Sequence, residues 1–512
     1  MKVQEGASYH SRFSKWLIRT AIVLLTLVGT AFTILAVWWP FTREATISSL
    51  EQVSFSDVKI GRFEKSFFPR PGYIAQDVTF KRDTAIYARP LARIGNITCR
   101  SSWLALLTFT HQIARMDLQG VEVYIPAHLP PAIRKRPDAK IPPTVTELFA
   151  NGAVLEVAPR HEDAEVERFD FPQLGLSNLA KNKAIRFRML MLNRKLVGRV
   201  RAIGSVGPLT LGRIAETRIS GDYHIGDRDL RTYKVVAGTL SAEGRFNGTL
   251  GRAEVAGRTE IPNFLVTTSR HSLGLAAEYK TIVDAIKGDV VVQSVEAHFL
   301  SSTLIAHGSI AGHDGKTLSL DVDGRHARVE DLLRLFVKAD HPPLNGALTM
   351  HARIVLPPKH EPLLRRVRLD GNFAINGAEF TKRTTQVRLN ELSGRASGEK
   401  RRKVVSGSEA IAAELKSDVK LQAGIAVLSE AHFSVPGAVA RGAGTYNLLN
   451  ESVDLRGKLA MRATLSKAAG GLKSVLLMPL DPLFRKSGAG AVLPVRVTGT
   501  YSHPVFKVLL TK

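Results

Sequence analysis

Residues 344–356 read Leu344-Asn345-Gly346-Ala347-Leu348-Thr349-Met350-His351-Ala352-Arg353-Ile354-Val355-Leu356. Leu344, Leu348, Met350, Ala352, Ile354 and Leu356 share one parity, and Asn345, Thr349, His351 and Arg353 lie between them. A period of two turns every apolar side chain to one side of an extended backbone, so the stretch is a strand with one dry face. Residues 419–435 keep the same rhythm. Val419, Leu421, Ile425, Val427, Ala431, Phe433 and Val435 alternate there with Lys420, Gln422, Glu430 and His432. In 453–465, Val453, Leu455, Leu459, Met461 and Leu465 oppose Asp454, Arg456, Lys458 and Arg462. Upstream, Val367, Leu369, Phe373 and Ile375 oppose Arg366, Arg368 and Asp370. Gly-containing turns at Asn247-Gly248 and Asp314-Gly315 predict hairpins, hence a mostly antiparallel sheet.

Helices are scarce by pattern. Residues 328–338 carry one stripe of Val329, Leu332, Leu333, Phe336 and Val337, and weaker helical patterns occupy 472–478 and 45–53. Three short helices cannot cover the dry face of about twenty strands, so such a sheet must curl, split into packed layers or close. A sandwich would hide the apolar face, whereas a curled sheet would leave a lengthwise trough. Periodicity alone does not separate the two.

Ahead of the strands, the uncharged run TAIVLLTLVGTAFTILAVWW opens at Thr20 and closes at Trp39. Twenty helical residues reach roughly 30 Å, the thickness of a bilayer core. Lys2, Arg12, Lys15 and Arg19 precede it against Glu5 alone, which favours a cytoplasmic N-terminus, and Pro40 stops the helix. The exit Val37-Trp38-Trp39-Pro40 lacks the small residues of a cleavage site, so the run is expected to stay as a single-pass anchor. Net charge is +25, but the basic residues are spread along strands rather than grouped with aromatics, which argues against a nucleic-acid partner. A broadly basic exterior suits anionic headgroups or plain solvation. Cys99 is the one cysteine and has no partner for an internal disulfide. Residues 126–143 hold six prolines and read as a loop or linker, and 398–408, with Lys400-Arg401-Arg402-Lys403, as an exposed loop.

Catalytic patterns do not assemble. Gly315-Lys316-Thr317 lacks the earlier glycine of a phosphate loop, and a strand follows it. Asp321-x-Asp323-Gly324 suggests a calcium loop, but Leu332 stands where its last acid belongs. His271, His307 and His351 are isolated. No enzyme, cofactor or metal site is expected.

Gly61-Arg62-Phe63, Ser66-Phe67-Phe68-Pro69-Arg70-Pro71-Gly72, Pro90-Leu91-Ala92-Arg93-Ile94 and Leu118-Gln119-Gly120 resemble the opening of the AsmA-like proteins of bacterial envelopes. The segments Gly238-Thr239-Leu240-Ser241-Ala242-Glu243-Gly244 and Val255-Ala256-Gly257-Arg258 are similar to their mid-region. Phe433-Ser434-Val435-Pro436-Gly437 and Val495-Arg496-Val497-Thr498-Gly499-Thr500 are similar to their C-terminal part. The resemblance implies an N-terminal transmembrane helix followed by a long, curled, mostly antiparallel β-sheet that forms an apolar groove. It also implies an inner-membrane-anchored periplasmic protein that moves phospholipid or maintains the outer membrane.

On this reading 1–40 is the cytoplasmic N-terminus and anchor, 41–160 an N-terminal region with the Pro-rich loop, 161–343 a central β-groove region and 344–512 a C-terminal β region. The expected lipid-contacting residues are Leu348, Met350, Ile354, Phe373, Ile375, Leu421, Ile425, Val427, Phe433, Leu455 and Leu459. The expected partners are phospholipid, the inner membrane and envelope proteins. The competing expectation is a closed sandwich acting as a scaffold or assembly factor for outer-membrane proteins.

Overall fold

The structure is a computed structural model. It describes Thr26, Trp39 and residues 41–509, less 55, 82–88, 108–111, 127–143, 159–165, 180–182, 194–197, 209–212, 234–235, 268, 270, 312–316, 337–340, 359–360, 398–411, 464–489 and 501–503. Apart from Thr26 and Trp39 the expected anchor lies outside the described residues, as do the expected helix at 472–478 and the loop at 398–408. Among the described residues no helix is long and apolar enough to cross a membrane. The chain is mainly β with a few short helices, its strands are mostly antiparallel, and it divides into two units at 181/182.

The first unit holds α1 (Arg43–Ser54), β1 (Asp57–Lys59), β2 (Arg62–Ser66), β3 (Gly72–Lys81), β4 (Ala92–Arg100), α2 (Trp103–Leu107), β5 (Gln112–Ile125), β6 (Thr144–Val157) and β7 (Glu167–Leu179). The Thr42 hydroxyl caps α1 by accepting from the Ala45 N–H, and the Arg43 guanidinium donates to the Ile60 carbonyl at 2.7 Å. Both β1 and β2 pair with β3, which continues antiparallel through β4 to β5. The pairing of β5 with β6 is parallel. Parallel neighbours need a long connection, and residues 127–143, expected from their prolines to be a loop, lie outside the described residues. Val78, Ala75, Ile97, Cys99 and Ile113 form the centre of this unit's core. Burial pushes the Cys99 thiol up to about 12, against the downward pull of its hydrogen bond with Tyr73, so it is an inert packing residue.

The second unit runs β8 (Ile185–Asn193), β9 (Arg199–Val206), β10 (Arg218–Asp229), β11 (Val236–Ala237), β12 (Thr239–Thr249), β13 (Arg252–Val266), β14 (Ser272–Asp284), β15 (Asp289–Phe299), β16 (Ser302–Ala311) and β17 (Thr317–Arg328). After α3 (Val329–Phe336) come β18 (Leu344–Leu356), α4 (Leu363–Arg366), β19 (Arg368–Phe380) and α5 (Arg383–Ser397). The last strands are β20 (Ala413–Gln422), β21 (Ile425–Val435), β22 (Ala438–Asn447), β23 (Ser452–Met461), β24 (Ala491–Thr500) and β25 (Pro504–Val508). Among the described residues each strand pairing in this unit is antiparallel, from β8–β9 to β24–β25, with β11 and β12 both lying along β13.

Two expectations about turns need correction. Asn247 and Gly248 lie inside β12, and the chain reverses at Leu250 and Gly251, where Thr249 faces Arg252. Gly248 is a glycine because its φ is +136° and a Cβ there would sit 2.3 Å from the Arg252 carbonyl oxygen. Residues 419–435 are not one strand but the two arms of a hairpin, β20 and β21, joined by Ala423 and Gly424. Both turn residues have positive φ, 51° and 81°, the signature of a two-residue type I′ turn. The expected turn at Asp314-Gly315 lies outside the described residues, between strands that do pair.

Candidate functional site

The strand face carrying Leu348 continues across neighbours in strict register. Leu348 lies opposite Ile375, Met350 opposite Phe373 and Ile354 opposite Leu369. Ile375 then faces Leu415, and Leu369 faces Leu421. Leu415 faces Phe433, and Leu459 and Leu455 lie opposite Ala440 and Gly444 of β22. Nine of the expected residues therefore share one apolar face: Leu348, Met350, Ile354, Phe373, Ile375, Leu421, Phe433, Leu455 and Leu459.

Ile425 and Val427 do not. Ile425 pairs with Gln422 and Val427 with Lys420, on the charged face, where they are 41% and 46% exposed. Unbroken alternation along 419–435 would place both on the apolar face, but the chain turns within it. The two-residue turn places Leu421 opposite Ala426, so the apolar positions change from odd to even. Leu428, opposite Val419, takes the place expected for Val427. A bulge between Leu428 and Ala431, with Glu430 at φ 50°, then restores the odd phase in time for Phe433. One inserted residue exchanges the two faces, which is why parity does not survive a turn or a bulge.

Helix α3 lies on the apolar face and is held there by two carboxylates in its first turn. Asp331, buried, accepts from the Ser301 N–H at 3.0 Å and the Ser302 hydroxyl at 2.8 Å. Glu330 accepts from the Gly346 N–H at 3.0 Å and the Arg328 guanidinium at 2.6 Å. Burial raises the Glu330 pKa, but hydrogen bonds from its own N–H, Gly346 and Arg328 outweigh it and leave the group below its ordinary value. Acids in the first turn also suit the positive end of the helix dipole. The helix contacts β13, β17 and β18. In a flat sheet β13 and β18 would stand about 24 Å apart, twice the roughly 10–12 Å width of a helix. One helix thus reaches strands that stand five apart in the pairing order.

Between α3 and strands β18 to β20 lies a cavity of about 450 Å³. Its walls are Val329, Leu332, Leu333 and Phe336 from the helix and Leu344, Leu348, Met350, Phe373, Ile375, Leu415 and Val419 from the strands, with Asn372 as the single polar lining residue. Phe336 is 56% exposed, so the wall it forms borders solvent. The α3 stripe is visible in the sequence, but nothing local says over which strands it lies. Helix α5 was not anticipated, because its threonines and Gly394 interrupt the stripe of Leu389, Leu392 and Ala396. Leu389 and Ala396 pack with Ala413, Val435, Ala438 and Met461, so both helices cover the same end of these strands. Toward the other end Ile354, Leu369, Leu421, Leu428, Leu455 and Val497 are only half-buried.

Farther upstream in the unit the apolar face changes character. Tyr223 and Tyr279 lie across Gly244 and Gly257 and join hydroxyls; a Cβ on Gly257 would stand 2.6 Å from the Tyr223 oxygen. Burial and the Tyr279 hydroxyl push the Tyr223 phenol above its usual range. Phe187 and Phe246 stack in the same region at 6.5 Å. The upstream face is thus aromatic over glycine, and the downstream one branched-aliphatic.

The opposite face is a ladder of ions. Arg353 donates to Asp321 at 2.8 Å, Lys420 stands 3.3 Å from Asp370, His351 contacts Asp323 at 2.9 Å and Arg496 forks onto Asp454. The guanidinium hydrogen bonds hold Asp321 and Asp454 below the usual carboxylate range. Asp321 and Asp323, the pair that suggested a calcium loop, are therefore strand residues, Asp321 facing the Arg353 guanidinium and Asp323 the His351 ring. A hollow of about 550 Å³ on this side is lined by Asp321, His351, Arg353, Asp370, Asp418 and Lys420. Such exposed pairs contribute little to stability individually. Compared with known proteins, the chain matches no family model, no curated protein and no solved structure.

Proposed function

We propose that this protein is anchored in a bacterial inner membrane, with its N-terminus cytoplasmic and its bulk periplasmic, and shields lipid acyl chains along the apolar face of a curled sheet. In that role it supports phospholipid transport and outer-membrane homeostasis. The observation that carries the reading is the apolar cavity between α3 and strands β18 to β20, which opens onto a half-buried strip of the same face. Each methylene moved from water to such a surface gains about 0.8 kcal/mol. Headgroups remain in water, and a strip of near-uniform aliphatic character offers a tail no deep trap. The motif likeness to AsmA-like proteins points the same way.

Photo-crosslinking amino acids at Met350, Leu421 and Leu428 are expected to capture phospholipid in native membranes, and those at Arg353, Lys420 and Val427 are not. Equal lipid capture at both sets would overturn the proposal. Capture of outer-membrane proteins in place of lipid would favour a scaffold role instead.

A further inference from the structure

The β2–β3 hairpin ends in Phe67-Phe68-Pro69-Arg70, and its tip is unusually apolar for an exposed turn. Phe68 is 87% exposed, and Leu104 at the start of α2 is 72% exposed. The two belong to one surface. The Trp103 indole N–H donates to the Pro69 carbonyl at 3.3 Å, and the Ser101 N–H to the Pro71 carbonyl at 2.7 Å, so α2 is tied to the loop. Phe67 in turn packs on Trp39 with ring centroids 4.5 Å apart.

Trp39 closes the charge-free run that begins at Thr20. Whatever depth Trp39 takes, Phe67 takes too, and Phe68 and Leu104 stand beside it. Two exposed large apolar side chains on tied elements are hard to place in water, but they fit the headgroup–acyl boundary where aromatic rings settle. Residues 62–71, the first strand and the tip of the hairpin, carry Arg62, Lys65 and Arg70 against Glu64 alone, a balance suited to anionic headgroups.

We propose that Phe68 and Leu104 form a membrane-contact patch that seats this end of the first unit on the anionic phospholipid surface around the anchor. The inference rests on the anchor reading above. It adds a second contact with the bilayer, made by folded residues.

The test uses the full chain in phosphatidylethanolamine–phosphatidylglycerol vesicles, with a nitrobenzoxadiazole probe on Phe68→Cys, Leu104→Cys or Glu122→Cys. Cys99 is buried and stays unlabelled. Glu122 is the control, because it pairs with Arg93 and so with Thr79, seven residues along β3 from the hairpin end. That separation is roughly 23 Å. Lipids brominated high on the acyl chain are expected to quench the probes at 68 and 104 at least about twofold more than the probe at 122, with blue-shifted emission. Equal quenching at all three positions, in a chain that resists alkaline extraction, would overturn the patch and leave the anchor standing. A chain released from the vesicles by alkali would overturn both.

Discussion

At the scale of single residues, the carboxylates that hold α3 are the sharpest place to press. Asp331→Ala leaves the buried Ser302 hydroxyl without its acceptor. Such a loss costs about 1–3 kcal/mol, and the urea midpoint is expected to fall accordingly, with β-sheet circular dichroism retained. An unchanged midpoint would show that α3 is held by packing alone. Glu330 makes a pH-dependent contribution. Its folded value lies below the ordinary 4.5, so the unfolded chain binds the proton more readily. The stabilisation is complete above that ordinary value and is lost as pH falls through the folded one. The gap between wild-type and Glu330→Gln urea midpoints is therefore expected to be present at neutral pH and to close as the pH falls through the folded value of Glu330. A gap that persists in acid would contradict the hydrogen-bonded arrangement.

At the scale of elements, the β20–β21 hairpin shows how two small irregularities set which side chains lie on the apolar face. Ala423 occupies a left-handed position that favours asparagine before glycine. Ala423→Asn is expected to raise stability by about 0.5–1 kcal/mol, read as a higher melting midpoint, since it relieves strain without altering register. A lower midpoint would argue against the type I′ geometry. The phase change makes a functional prediction on adjacent residues. Leu428→Asp places a charge opposite Val419 on the apolar face and is expected to abolish lipid crosslinking at Leu421, whereas Val427→Asp sits beside Lys420 and is expected to leave it unchanged. The reverse outcome would mean that the faces are assigned the wrong way round.

At the scale of the whole molecule, the prediction concerns cargo. Protein extracted in a mild, membrane-derived detergent is expected to carry phospholipid detectable by mass spectrometry, and Leu348→Asp combined with Met350→Asp to carry several-fold less. Each charge would sit uncompensated on a surface whose attraction for tails depends on staying dry. Equal lipid in the two preparations would place the bound molecules elsewhere.

The sequence by itself determined the local geometry. It told strand from helix, placed β18 at 344–356, assigned a wet and a dry side to β18, β19, β20 and β23, and marked the α3 stripe. Each of these depends on neighbours two to four positions apart, which alternation and helical periodicity encode directly. Only the tertiary structure decided the rest. It decided the swap of Ile425 and Val427 for Ala426 and Leu428, the parallel junction of β5 with β6, the unforeseen α5, and the contact of one eight-residue helix with both β13 and β18. Those outcomes depend on a turn or bulge shifting every later residue by one, and on contacts between segments tens of residues apart. No short-range pattern records either.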